Sequence, residues 1–220
     1  MQKQKQPSLY QQQKAIKPLI EDMIPDFLDG DMKERALDFA QYLRANKMKP
    51  VWTLTNQWKA VYRGKCICYI ALVPAETGYI TQDSAGNRVA ENVRWLITPY
   101  LEHIKEYEDA IISEGLQHYI LDHAIYCAHA FKYPRKKDAP AVKNYGLIYP
   151  CNIWNCAPGM DVEVCGVQIK NKCRNGNRRH YFFKDPDAAE IDAIKRLLEM
   201  EQEARVESAR KKMKRSMRHE

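Results

Sequence analysis

Four cysteines in the second half of the chain, Cys127, Cys151, Cys156 and Cys173, come nearest by type and spacing to a chemical site. Four thiolates can close a tetrahedral shell around zinc and leave no position for water, so such a site is a structural staple and not a catalyst. The separation of Cys151 from Cys156 is permitted for zinc but lacks the tighter paired CxxC form. Hairpin geometry sorts the candidates. Asp161–Val164 and Val167–Lys170 read as strands around a two-residue turn, Cys165-Gly166, which pairs Val164 with Val167 and Asp161 with Lys170. Continued outward, this ribbon brings Cys156 and Cys173 together at its open end. Cys165 lies at the other tip, roughly 26 Å away at about 3.3 Å per residue, and cannot share their site. Cys127 is the first choice for the fourth ligand, with His129 or His123 second. Two readings stay open: a structural zinc site, and unligated, partly buried thiols.

Other reactive types are weaker. His123 and Cys127 stand four apart on a helical apolar stripe with Leu116, Ile120 and Phe131, where a core histidine is the commoner outcome. His118 and Asp122 share the polar face, as an acid/base pair or, more commonly, a solvated contact. Cys165, in a turn, reads as an exposed thiol open to reaction, with no neighbouring histidine to lower its pKa. GxSxG, HExxH and a phosphate-cradling glycine loop are all absent from the sequence. The balance leans against an enzyme without excluding one.

The elements that must position these residues follow from periodicity. Residues 1–13 are glutamine-rich and read as a disordered tail; residues 14–200 read as one domain, with 132–150 as a long loop or insertion; residues 201–220 read as a basic helical tail. Ile16, Leu19, Ile20, Met23 and Ile24 predict a short helix ended by Pro25. Met32, Ala36, Phe39, Ala40 and Leu43 form the stripe of a second helix, capped by Asp29 or Asp31 and stopped by Asn46 and Pro50. From Trp52 to Leu72 the chain is aromatic and β-branched, broken once at Arg63-Gly64. A three-residue loop with a bulge at Gly64 pairs Val61 with Lys65 and Trp58 with Cys68. A two-residue loop would set Lys59 beside Cys66 and Cys68, so the first register is preferred. Tyr79–Thr81 and Val93–Ile97 extend this into an antiparallel meander closed by Pro99. Arg178–Lys184 predicts a further strand, with Asp185 as N-cap of a closing helix whose face is Ala188, Ile191, Ile194, Leu197 and Leu198. The fold class is therefore α+β, an antiparallel sheet flanked by N-terminal, middle and C-terminal helices.

Charge is uneven. Of the net +7, the stretch from Arg205 to Glu220 supplies +5, with seven cations against two anions, and leaves the rest near neutral. Arg210, Lys211, Lys212, Lys214, Arg215 and Arg218 either complement the helix dipole or contact nucleic acid. Seven cysteines, the lack of a membrane-length apolar run, and a polar start without an apolar leader core point to a cytoplasmic protein.

The segments Ala36–Met48, Trp58–Ile70, Cys156–Gly159 and Asp185–Ala188 together resemble a family of uncharacterised small cytoplasmic proteins of Firmicutes. More distantly, the order of helix, meander and helix is similar to the frataxin-like α+β fold of the YjbR and YdhG groups. That resemblance implies a binding domain. The leading expectation is a non-enzymatic binding or interaction domain, with zinc as structural cofactor and Trp52, Tyr69, Tyr79 and Trp95 as a ligand surface; the plain alternative for those aromatics is core. The alternative function is a nucleic-acid accessory protein working through the basic end.

Overall fold

The computed structural model describes residues 6–76, 79–82, 88–124, 160–172 and 181–217. Helix α1 (Leu9–Ile16) opens with a reciprocal capping box between Ser8 and Gln11. The expected disorder up to residue 13 therefore gives way to helix from Leu9. Gln13 ties it to the body: it is 2% exposed, and its amide meets the turn of the sheet at Asn56. Gln13 Nε2 donates to Asn56 Oδ1 at 2.6 Å, while its oxygen accepts from the Asn56 backbone N–H at 2.8 Å and from Trp52 Nε1 at 3.3 Å.

Helix α2 (Ile20–Phe27) buries Ile20 and Ile24 and carries Pro25 inside its last turn instead of stopping there. Helix α3 (Gly30–Ala45) follows Asp29 and buries Ala36, Phe39, Ala40 and Leu43, the expected stripe, before ending at Asn46. Strands β1 (Lys49–Leu54), β2 (Gln57–Tyr62) and β3 (Lys65–Leu72) form a meander. Strand β6 (Trp95–Pro99) lies beside β3, and β9 (Phe183–Lys184) beside β6, giving the antiparallel order β1-β2-β3-β6-β9. Among the described residues, strands β4 (Tyr79–Gln82) and β5 (Arg88–Glu91) pair with each other and with no other strand. The expected path through Tyr79–Thr81 is thus corrected: β3 passes directly to β6 in the sheet, and the intervening hairpin stands apart.

The β2–β3 register is also corrected. Arg63 and Gly64 both have positive φ, 48° and 79°, and Tyr62 pairs with Lys65, so the loop has two residues in the primed-turn conformation that matches strand twist. A bulge removes the conflict of a two-residue loop with lysine in the core. Val61 faces Cys66 but Ala60 faces Cys68, so Ile67 is the extra residue; beyond it Trp58 aligns with Ile70 and Lys59 with Tyr69. Trp58, Ala60, Cys68 and Ile70 thereby share the core face, and Ile67 is itself buried.

That face packs on α2, α3 and α6 (Ala188–Ser216) in one core containing Trp58, Trp95, Phe39, Phe183 and Leu197. Ala71, Val73, Val93 and Leu96 make a small second cluster; Ala71 and Leu96 alternate with core residues along β3 and β6, which puts them on the opposite face. Between β6 and α6 lie a 3₁₀ turn (Ile104–Glu106), α4 (Glu108–Ser113), α5 (Gln117–Asp122), and the hairpin of β7 (Met160–Val164) and β8 (Val167–Lys172).

Asp185 does not cap α6. It takes a left-handed φ of 45°, and its carboxylate accepts from the backbone N–H groups of Arg94 and Trp95, both at 2.8 Å. The cap falls to Asp187, which exchanges hydrogen bonds with Glu190 at 2.8 Å in each direction. A sequence rule that favours Asp before Pro missed this because two N–H groups at the start of β6 needed the same oxygen.

Candidate functional site

Helix α6 organises the molecule. Ile191, Ile194, Leu197 and Leu198 hold its first half in the core, and it runs alongside α3 in the same direction. Lys195 pairs with Asp38 at 2.6 Å, Tyr42 donates to the Lys195 carbonyl at 2.8 Å, and Gln202 donates to the Asn46 carbonyl at 2.9 Å. Burial and the neighbouring Glu199 carboxylate both push the Tyr42 phenol above its ordinary range. On the next side, Arg196 grips Glu114 with two bonds of 2.7 Å, which holds that carboxyl below its ordinary range.

One turn later the buried face changes from apolar to charged without leaving the core. Glu201 is 0% exposed and accepts four hydrogen bonds: from the His103 backbone N–H at 2.9 Å, His103 Nδ1 at 3.0 Å, Tyr107 O–H at 2.9 Å and Arg205 Nε at 2.7 Å. Arg205 also donates to the Tyr100 carbonyl at 3.3 Å, while its Nη1 is buried without a hydrogen-bond partner. Burial and the adjacent carboxylate hold the Tyr107 phenol well above its ordinary pKa. A carboxylate whose lone pairs are all occupied has no capacity to take a substrate proton, so this cluster is an anchor. Sequence reasoning placed the end of the domain at residue 200 and missed it. The signal was present, because Glu201 and Arg205 continue the spacing of Ile194 and Leu198 on one helical face.

Beyond the anchor, α6 leaves the body. Every described residue from Ala209 to Met217 is exposed, and the helix persists to Ser216. This extension carries Arg210, Lys211, Lys212, Lys214 and Arg215; among the described residues their one ion pair is Arg210 with Glu207 at 4.0 Å. At 100° per residue, Arg210, Lys214, Lys211 and Arg215 fall within about 140° of arc. Arg218 lies outside the described residues. At the root of the extension Asn46, Tyr62, Gln202 and Val206 line a shallow groove with Glu199, Glu203, Glu207 and Arg210.

The other expected site residues are dispersed. Trp95 is 1% exposed, packed edge-on to Phe39 with ring centres 6.5 Å apart, and offers no ligand surface. Trp52 is half-buried, tied to Gln13, with Tyr10 beside its ring. Tyr69 alternates with core-facing Ile70 and so lies on the opposite face, its phenol pushed up to about 12 by burial and by Cys66. Tyr79 belongs to the separate β4–β5 pair.

The expected β7–β8 turn is present, with Val164 opposite Val167 and a register shift farther out that sets Met160 opposite Lys172. Within that turn Gly166 is exposed but Cys165 is not. Cys165 is 2% exposed; its N–H donates to Glu108, and its carbonyl accepts from Gln117 Nε2 at 2.6 Å. Burial, aided by the Glu108 charge, pushes the thiol up to about 11, which corrects the reading of a reactive turn cysteine. Cys66 and Cys68 are likewise held above the ordinary thiol range by burial. His123 has both ring nitrogens engaged, Nδ1 with the Tyr119 carbonyl and Nε2 with Glu190, each at 2.9 Å, and its ring stacks on Phe183. Both nitrogens are therefore committed within the fold. Cys127, His129, Cys151, Cys156 and Cys173, like the 132–150 stretch, lie outside the described residues. Among the described residues no group of three or more His, Cys, Asp or Glu side chains is gathered as metal ligands, and no helix is long and apolar enough to cross a membrane.

Comparison of the chain with protein-family models, with curated proteins and with solved structures finds no match.

Proposed function

We propose that this protein is a non-enzymatic binding domain that engages nucleic acid through the cationic extension of α6. The observation that carries this reading is the persistence of helix beyond the last buried residue, with five cations and, among the described residues, one ion pair. Like charges crowded on an exposed helix repel, and a phosphate backbone relieves that repulsion while releasing condensed counterions. The body supports the role mechanically. The Glu201–Arg205 anchor, buried at the point where the helix departs, fixes the direction in which the cations are presented.

The test is fluorescence anisotropy with a short labelled DNA duplex across a salt series. If three to five phosphates are neutralised, log K falls against log salt with a slope of roughly −3 to −4.5. Replacing Lys211, Lys212 and Arg215 by alanine is expected to reduce that slope by about one for each phosphate no longer neutralised, leaving the urea midpoint unchanged. Binding that is insensitive to salt, or untouched by the triple substitution, would end the proposal.

A further inference from the structure

The same extension carries an apolar feature that nucleic acid does not use. Val206, Met213 and Met217 fall within about 40° of one another around α6, and the two methionines are 63% and 75% exposed. Beside this stripe runs a row of four charges, Glu203, Glu207, Arg210 and Lys214, within about 60°. The row changes sign along its length, acidic near the body and basic toward the end.

That polarity selects an occupant. A parallel copy packed stripe on stripe would turn the row toward the partner's other flank, which carries Gln202, Ala209 and Ser216, and leave its charges without opposite partners. An antiparallel copy sets Glu203 beside Lys214 and Glu207 beside Arg210, and two-fold symmetry repeats both pairs. A closely similar register lays Met213 against Val206 and carries Met217 over Gln202, into the groove walled by Asn46 and Tyr62. We infer that two copies of this chain associate antiparallel through residues 202–217 of α6, stripe on stripe, with the acidic half of each row against the basic half of the other. The contact is two short helical segments and a shallow groove, at the small end of specific interfaces, so the dimer is reversible and weakened by salt. Lys211, Lys212 and Arg215 project from the opposite side of the helix. Self-association does not rest on the nucleic-acid reading, but the two draw on Arg210 and Lys214 in common; the dimer leaves Lys211, Lys212 and Arg215 outside its contact and would set two cationic surfaces side by side.

Sedimentation velocity of the full chain without nucleic acid, from low micromolar to about 0.5 mM, tests this. The expected result is a concentration-dependent monomer–dimer equilibrium that shifts toward monomer at high salt. Met213→Gln with Met217→Gln should raise the dimer Kd by roughly tenfold or more, with unchanged circular dichroism because both side chains already stand in water. Glu203→Lys with Glu207→Lys makes the row wholly basic and should abolish self-association; Arg210→Glu with Lys214→Glu makes it wholly acidic and should do the same. Mixing those two variants should restore a dimer, and so should all four changes in one chain, which inverts the row but keeps its complementarity. A chain that stays monomeric throughout the concentration range overturns the inference, as does a dimer indifferent to the methionine and charge changes.

Discussion

Glu201 offers the sharpest test of how α6 is held. Replacing it by leucine preserves an apolar volume but strands the Arg205 guanidinium, 7% exposed, whose Nη1 already lacks a partner. It also leaves Tyr107 O–H and the His103 N–H without their acceptor. Breaking a buried pair from one side costs about 3–5 kcal/mol, mostly because the surviving charge is uncompensated. Arg205→Met alone should cost less, since three donors from Tyr107 and His103 still face the carboxylate. The informative variant is the double substitution. With the stranded charge gone, Glu201→Leu/Arg205→Met should be no less stable than Glu201→Leu alone, a coupling of at least about 2 kcal/mol. Urea denaturation followed by circular dichroism, with the slopes compared among all four proteins, measures these differences. If the two single costs add to within about 0.5 kcal/mol, the residues act independently and the account of the anchor is wrong.

Gln13→Ala should release α1 by leaving Asn56 N–H and Trp52 Nε1 without an acceptor, at a cost of about 1–3 kcal/mol; faster tryptic cleavage after Lys14, with the rest of the domain resistant, is the expected readout. Cys165 gives a pH signature. Its folded pKa of about 11 exceeds the ordinary thiol value of 9.0, so its contribution to stability is complete below about pH 9 and is lost as pH rises toward 11. The alkaline fall in the urea midpoint should flatten in Cys165→Ala, and an unchanged profile would show that the tip thiol is not held as described. Consistently, peptide mapping should find Cys165 unalkylated by iodoacetamide in the native protein near pH 8 and alkylated after unfolding.

The mixed composition of the chain follows its division of labour. Its core needs few charged groups, and the two buried among the described residues, Glu201 and Arg205, stand where a helix must leave the body in a fixed direction. Cations that would burden a compact surface sit on the exposed stretch from Ala209 to Met217. A helix in that position frays unless something holds its base or partners its exposed face.

By itself the sequence determined the local elements. Apolar residues at helical spacing in Ala36–Leu43 and Ile191–Leu198, the strand-forming composition of Trp58–Leu72 with its break at Arg63-Gly64, and the turn dipeptide Cys165-Gly166 each act over a few residues, where periodicity and backbone preference suffice; the length of the Arg63-Gly64 loop and the bulge beside it were settled by the sheet. The α+β class and the cationic character of the C-terminal stretch were legible for that reason. Tertiary structure decided everything that required a partner from afar. It chose β6 over β4 as the neighbour of β3, spent Asp185 on the N–H groups of Arg94 and Trp95, tied α1 to the sheet through Gln13 and Asn56, and buried Cys165 against Glu108 and Gln117. It likewise converted Glu201 and Arg205 from the start of a solvated tail into a buried anchor. In each case a polar group removed from water had to find a complementary atom, and the residue that supplied it lay too far along the chain for spacing to reveal.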